Sequence, residues 1–171
     1  MVIILPTDTC YGLAWEFNEQ DYHEIYRLKW RNFTNPLAWV VHDYDNLKEY
    51  IEITDEQIGF LKSYHRPWSI LGKRRSDFVL PDFLDEKTYE KISLRVASVC
   101  FCHREEWSDP GEQKGIPTSD WIASYTRNDE IWKLNFPLFL TSANISGEKE
   151  SKTLAEARGY FPDIEGFNGW I

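Results

Sequence analysis

The chain has 171 residues, 42% hydrophobic and 16% aromatic, with 19 basic against 28 acidic side chains for a net charge of −9. That length and apolar content suit one domain with a proper core and exclude a disordered tail. The acidic balance argues against a broad duplex-binding face, which would carry an excess of Lys and Arg, but it leaves room for a local basic pocket. Three cysteines (Cys10, Cys100 and Cys102) make no disulfide framework. The apolar start over residues 1–5 is too short for a signal peptide or a membrane span. The expectation is a cytoplasmic protein with reduced thiols and no membrane partner. The eight tryptophans are scattered and are read as packing residues.

Residues 2–5 form a short apolar run, a buried strand stopped at Pro6. Thr7-Asp8-Thr9-Cys10-Tyr11-Gly12-Leu13 is rich in hydroxyls and carries a glycine, the composition of a turn or loop. Residues 18–29 read as a helix, with Asn18 as N-cap and Tyr22, Ile25 and Tyr26 on one face. Residues 37–41 are continuously apolar and predict a central strand. A short helix is expected over 46–51. A third helix starts at Thr54, whose partner Gln57 makes a capping box, with Ile58, Leu61 and Tyr64 as its inner stripe.

Residues 69–71 are a candidate strand. Over residues 92–96, Ile92, Leu94 and Val96 face one way and Ser93 and Arg95 the other. Residues 103–117 are polar and hold Pro110, Gly111, Gly115 and Pro117, the pattern of a long loop. A helix is expected over 118–134 and a buried strand over 138–141. Thr153 and Glu156 form a second capping box, with Gly159 as the helix stop. Strands interleaved with helices predict an α/β fold, a sheet covered by helices in a single domain.

Lys29 and Arg31 sit where a helix gives way to a loop ahead of a buried strand. On a continuing helix they would diverge, but at its end they can converge on one anion. Ligands of open α/β sheets gather at the carboxyl edge of the strands, and phosphate suits an Arg fork and a Lys point charge. The alternative is that both cap the last helical turn, where cations suit the dipole.

Thr141-Ser142-Ala143-Asn144-Ile145-Ser146-Gly147 follows a strand directly and packs hydroxyl, amide and backbone donors into a tight turn. Such a turn can form an anion-binding nest, or it can be a plain connection made of turn-forming residues. Arg95 lies in an otherwise hydrophobic strand and needs a partner if buried: a substrate carboxylate or phosphate, or an internal Asp or Glu. On an exposed face it would look outward. Cys100, Cys102 and His103 do not have the spacing of a zinc knuckle, so no metal ligand is expected. His42 and His65 could act as bases, but no spacing pairs them with a nucleophile. No Walker loop, dinucleotide fingerprint or nucleophile elbow is present.

Taken in order, these pieces resemble the YrdC/Sua5 family of threonylcarbamoyl-AMP synthases. Residues 5–13 look like the family's P-T-D/E-T-x-Y-G-L opening. Lys29-Trp30-Arg31 and Asn35-Pro36-Leu37 resemble its K-x-R and N-P-L. Leu94-Arg95-Val96 is similar to its V-R-V strand, and Ser142-Ala143-Asn144-Ile145-Ser146-Gly147 to its S-A-N-x-S-G. The resemblance covers most of residues 2–157. It implies a YrdC-like twisted mixed open sheet with flanking helices around a positively lined cleft.

The implied reaction condenses L-threonine, bicarbonate and ATP to threonylcarbamoyl-AMP and pyrophosphate, for the t6A modification of tRNA. Mg²⁺ would be carried by ATP. By position, Lys29, Arg31, Asn35, Ser142 and Asn144 would line the ATP phosphates, with Lys29, Arg31, Ser142 and Asn144 acting in catalysis. Thr9 and Arg95 would hold threonine, and Thr7 and Tyr11 would shape the pocket. Implied partners are tRNA or double-stranded RNA and the machinery that transfers the threonylcarbamoyl group onward.

There are departures. Asn32 stands where the family has Pro after the arginine. Tyr64-His65-Arg66-Pro67-Trp68-Ser69 keeps only Pro67 and a hydroxyl of the family's W-P-G-P-x-T. The family's helix before the first strand and its late S-T-I/V segment have no counterpart in these residues. The spacing from Arg95 to Ser142 exceeds the family's by roughly twenty-five residues. Two other readings stand beside the synthase: a YrdC-like module that binds nucleotide or RNA without turnover, and carbamoyl transfer to another acceptor.

Overall fold

The computed structural model describes residues 2–97 and 136–166. The loop expected over 103–117, the helix expected over 118–134, and Cys100, Cys102 and His103 lie outside the described residues. The chain opens with β1 (Val2–Pro6) and β2 (Tyr11–Glu16), an antiparallel hairpin that pairs Pro6 with Tyr11. The other strands of the described residues are β3 (Ala38–Val41), β4 (Ile70–Lys73), β5 (Lys91–Val96), β6 (Leu138–Ser142) and β7 (Glu165–Gly166). They join in one mixed sheet of order β4-β5-β3-β6-β2-β1-β7. β3 runs parallel to β5 and β1 to β7, and the other neighbours are antiparallel.

Among the described residues, four helices flank the sheet: α1 (Glu19–Leu28), α2 (Leu47–Tyr50), α3 (Asp55–Ser63) and α4 (Leu154–Tyr160). Their starts follow local chemistry. The Asn18 side chain accepts from the Asp21 amide at 2.9 Å. Thr54 with Gln57, and Thr153 with Glu156, both form complete capping boxes. No helix of the described residues is long and apolar enough to cross a membrane.

The pleat sends alternate residues to opposite faces. Ile4, Leu13, Trp15, Trp39, Leu94 and Phe139 join one large core with Tyr22, Ile25 and Tyr26 of α1. Phe17 stacks on Phe139 at 4.5 Å and meets the edge of Trp39 at 4.6 Å. Each such ring, once buried, contributes about 1.5–3 kcal/mol by leaving water. The other face carries a smaller cluster of Ile3, Leu5, Ala14, Val40, Ala97, Leu138 and Leu140.

Four expectations are corrected. Of the hydroxyl-rich stretch read as a loop, only residues 7–10 turn, and Tyr11, Gly12 and Leu13 already belong to β2, where they pair with β1 and β6. Gly159 does not stop α4, which runs to Tyr160 and is capped by Phe161. Tyr64 is not on the inner stripe of α3, because the helix ends at Ser63 and leaves this ring 42% exposed. The tryptophans are not uniformly packing residues: Trp15, Trp39 and Trp68 are buried, but Trp30 is 82% exposed.

Candidate functional site

On the less filled face of the sheet, β2, β3, β5 and β6 present Gly12, Ala38, Ser93, Arg95 and Ser142, side chains too small or too polar to extend the apolar cluster. These residues line a cavity of about 330 Å³, together with Thr7, Thr9, Cys10, Arg31, Pro36, Leu37, Ser69, Leu140, Thr141 and Glu150. That volume lies at the small end of the range for small-molecule sites, roughly 300–1,000 Å³. Gly12 is required by the geometry. A Cβ there would stand 3.0 Å from both Thr7 Cγ2 and Leu140 Cδ1 and 3.2 Å from the Thr141 carbonyl oxygen.

The β1–β2 turn forms one wall. Thr7, 6% exposed, donates its hydroxyl to the Cys10 carbonyl at 2.7 Å, and its amide donates to the same oxygen at 2.9 Å. Thr9 sits at the exposed tip, its carbonyl held by Lys152 Nζ at 3.0 Å. Burial pushes the Cys10 thiol upward from its ordinary value, so it stays protonated at neutral pH.

Lys29 and Arg31 have different surroundings. Lys29 is 1% exposed. Its ammonium donates to the Ser142 carbonyl and, at 3.3 Å, to Asn144 Oδ1, while its own carbonyl accepts from the Ser146 amide at 3.0 Å. Burial, then the nearby Arg31 charge, lowers its pKa to about 8. Lys29 therefore fastens the end of α1 to the turn after β6. Asn144, itself buried, extends that brace by donating to the Glu148 carbonyl at 2.6 Å. Arg31, half-buried, reaches the cavity. Its guanidinium donates to the Asn35 carbonyl at 3.1 Å and the Pro36 carbonyl at 2.9 Å, which fixes one edge of the fork.

Arg95 finds an internal partner. Its Nη2 donates to Asp8 Oδ2, with the two side chains 14% and 7% exposed. Asp8 Oδ1 and Arg95 Nε are buried with no hydrogen-bond partner among the described residues. Burial raises the Asp8 pKa, against the lowering pull of Arg95. The expected positively lined cleft is thus of mixed sign: Arg31 and Arg95 face Glu150, and Asp8 offsets Arg95.

Of the residues predicted for the site, Thr7, Thr9, Arg31, Arg95 and Ser142 share the cavity lining. Lys29 and Asn144 stand behind Ser142, within the brace. Tyr11 is buried in the main core and touches the site through its backbone, whose carbonyl accepts from the Ala143 amide at 2.8 Å. Asn35 is exposed, and its contribution is the carbonyl that Arg31 and, at 2.8 Å, the Tyr26 hydroxyl share. Sequence reasoning missed Asp8, Cys10, Ser69, Ser93 and Glu150. Ser93 was legible, since strand alternation puts it beside Arg95, and its hydroxyl pairs with that of Ser69 at 2.7 Å. Among the described residues, no group of three or more His, Cys, Asp or Glu could hold a metal ion.

The Sua5/YciO/YrdC family model, described as telomere recombination, matches residues 1–166. A curated protein of Methanocaldococcus jannaschii, bearing the name "Putative threonylcarbamoyl-AMP synthase", is 24% identical over 160 residues, which cover 91% of this chain and 60% of that protein. The chain thus spans less than two thirds of that relative's length. The crystal structure of P. abyssi Sua5 complexed with L-threonine aligns with a TM-score of 0.64 at 18% identity, covering 96% of this chain and 42% of that one. T. kodakarensis HypF aligns with a TM-score of 0.66 at 19% identity, covering 96% of this chain and 18% of that one. At these identities the structural likeness is one of fold.

Proposed function

The chain belongs to the Sua5/YciO/YrdC family, and from that premise we propose that it is a threonylcarbamoyl-AMP synthase. In this reading L-threonine and bicarbonate condense to the carbamate with loss of water. A carbamate oxygen then attacks the α-phosphorus of ATP, the bond to the β-phosphate oxygen breaks, and pyrophosphate leaves. The product would serve the t6A modification of tRNA. The enzyme's part is positioning and charge stabilisation. Arg31 is assigned to the phosphates, with Ser142 beside it at the end of β6. Arg95 is assigned to the threonine carboxylate, with Thr9 at the same wall. Lys29 and Asn144 hold the turn that carries Ser142, and Mg²⁺ enters with the triphosphate.

The observation that carries the reading is convergence. Thr7 and Thr9, Arg31, Arg95 and Ser142 come from four separate motifs, and all line one cavity. Arg31→Ala should lower pyrophosphate release by about 10²–10³-fold, the effect of removing one charge-stabilising donor. The assay is release that requires ATP, bicarbonate and L-threonine together. A folded, ATP-binding protein with release no greater than its Arg31→Ala variant would sink the assignment.

A second reading has its own support. Lys29 is committed to protein oxygens and Arg95 to Asp8, which suits a module that binds nucleotide or RNA without turnover. Tight RNA binding with a steep salt slope and no product would favour it.

A further inference from the structure

Trp30 departs from the rest of the described residues in two independent ways. It is 82% exposed, and it is the only described non-glycine residue with a positive φ, at +52°. The backbone hydrogen bonds show why the chain turns there. The Arg31 amide donates to the Tyr26 carbonyl at 2.9 Å and the Trp30 amide to the Arg27 carbonyl at 3.3 Å. Together they close α1 in a Schellman motif with Trp30 at its left-handed position. Glycine usually fills that position, because a Cβ there crowds the following carbonyl oxygen. Tryptophan here strains the helix cap and buries almost nothing in return. Phe33, the nearby half-exposed ring, is accounted for, since it stacks on Tyr26 at 4.4 Å.

The position supplies what packing does not. Trp30 lies between Lys29, whose carbonyl is bonded to the Ser146 amide, and Arg31, which lines the cavity. Its Cα is therefore one peptide unit from a cavity residue, about 3.8 Å, on a backbone fixed by the cap. The residues that flank it in sequence, Lys29, Arg31 and Asn32, are polar. A single rigid π-face beside a cation assigned to phosphate fits a flat aromatic group joined to a phosphate chain.

We infer that Trp30 is the stacking platform for the nucleobase of the bound nucleotide, at the rim of the cavity next to Arg31. The inference rests on the nucleotide-using reading above and assigns the base-recognition contact within it.

Calorimetric titration of the wild type, Trp30→Gly, Trp30→Asn and Trp30→Phe tests it, using ATP and inorganic tripolyphosphate as two separate probes. Glycine and asparagine both tolerate the left-handed cap, so folding is preserved and a Tm at or above wild type verifies it. Losing the ring should weaken ATP binding roughly 5- to 100-fold, the range that stacking on one aromatic supplies. Tripolyphosphate, which has no base, should bind all four proteins within about twofold of each other, and Trp30→Phe should keep most of the ATP affinity. Unchanged ATP affinity in the glycine and asparagine variants would overturn the inference while leaving the synthase reading intact. Equal losses for ATP and tripolyphosphate would also overturn it, since the cap would then be acting through Arg31. A wild type that binds neither probe would overturn the synthase reading, and this inference with it.

Discussion

The same strands present two unlike faces. At Trp15, Trp39, Leu94 and Phe139 the pleat is filled with large apolar side chains, all within 1% of complete burial. On the opposite side of the pleat, at Gly12, Ala38, Ser93, Arg95 and Ser142, it is left small or polar, and a cavity forms. Stability and chemistry are divided between the two faces. Packing on one face holds the strands in register, which frees adjacent positions on the other to carry charge and hydroxyls that would be poor core residues.

The contrast can be broken most forcefully on the filled face. Trp39→Ala should cost about 3–5 kcal/mol of unfolding free energy, the penalty for a deleted buried ring and the void it leaves. Denaturant melts will measure it, and a loss below about 1 kcal/mol would mean the two faces are not distinct in stability. Next in size is the buried cation that ties the end of α1 to the turn after β6. Lys29 has a folded pKa of about 8, below the 10.5 of the unfolded chain. The unfolded state therefore binds more protons across that window, and this group's contribution to stability rises as pH climbs from about 8 to 10.5. The gain should approach 3 kcal/mol on the order-of-magnitude scale of about 1.4 kcal/mol per pH unit. Melts of wild type and Lys29→Met should differ most steeply there, and parallel curves would contradict the assignment. Smallest is Gly12→Ala, where a methyl would press on Thr7, Leu140 and the Thr141 carbonyl. A cost of about 1–3 kcal/mol is expected. Weakened ATP binding in the same variant would sharpen the claim that this face is the site.

Much of this was legible in the sequence where the chemistry is local. Asn18, Thr54 with Gln57, and Thr153 with Glu156 cap the helices they were expected to cap, because a cap needs only three or four neighbouring residues. The alternation from Ile92 to Val96 also holds. The failures have physical reasons. Hydroxyls and Gly12 made residues 11–13 look like a loop, yet glycine in a strand can mark close approach of another backbone, which is its role here against Thr141. A two-residue strand such as β7 has no period to detect. The pairing of Arg95 with Asp8 joins residues 87 apart, and only the fold brings them together. Lys29 illustrates the remaining limit. Its place in a motif was plain, but whether its ammonium faces a ligand or the protein's own oxygens depends on the turn after β6.

The most direct test of the central claim is mass detection of threonylcarbamoyl-AMP after incubating the purified protein with ATP, bicarbonate and L-threonine. Product should appear only when all three are present and should fall about 10²–10³-fold in Arg31→Ala. Absence of product from a folded protein that binds ATP would contradict it.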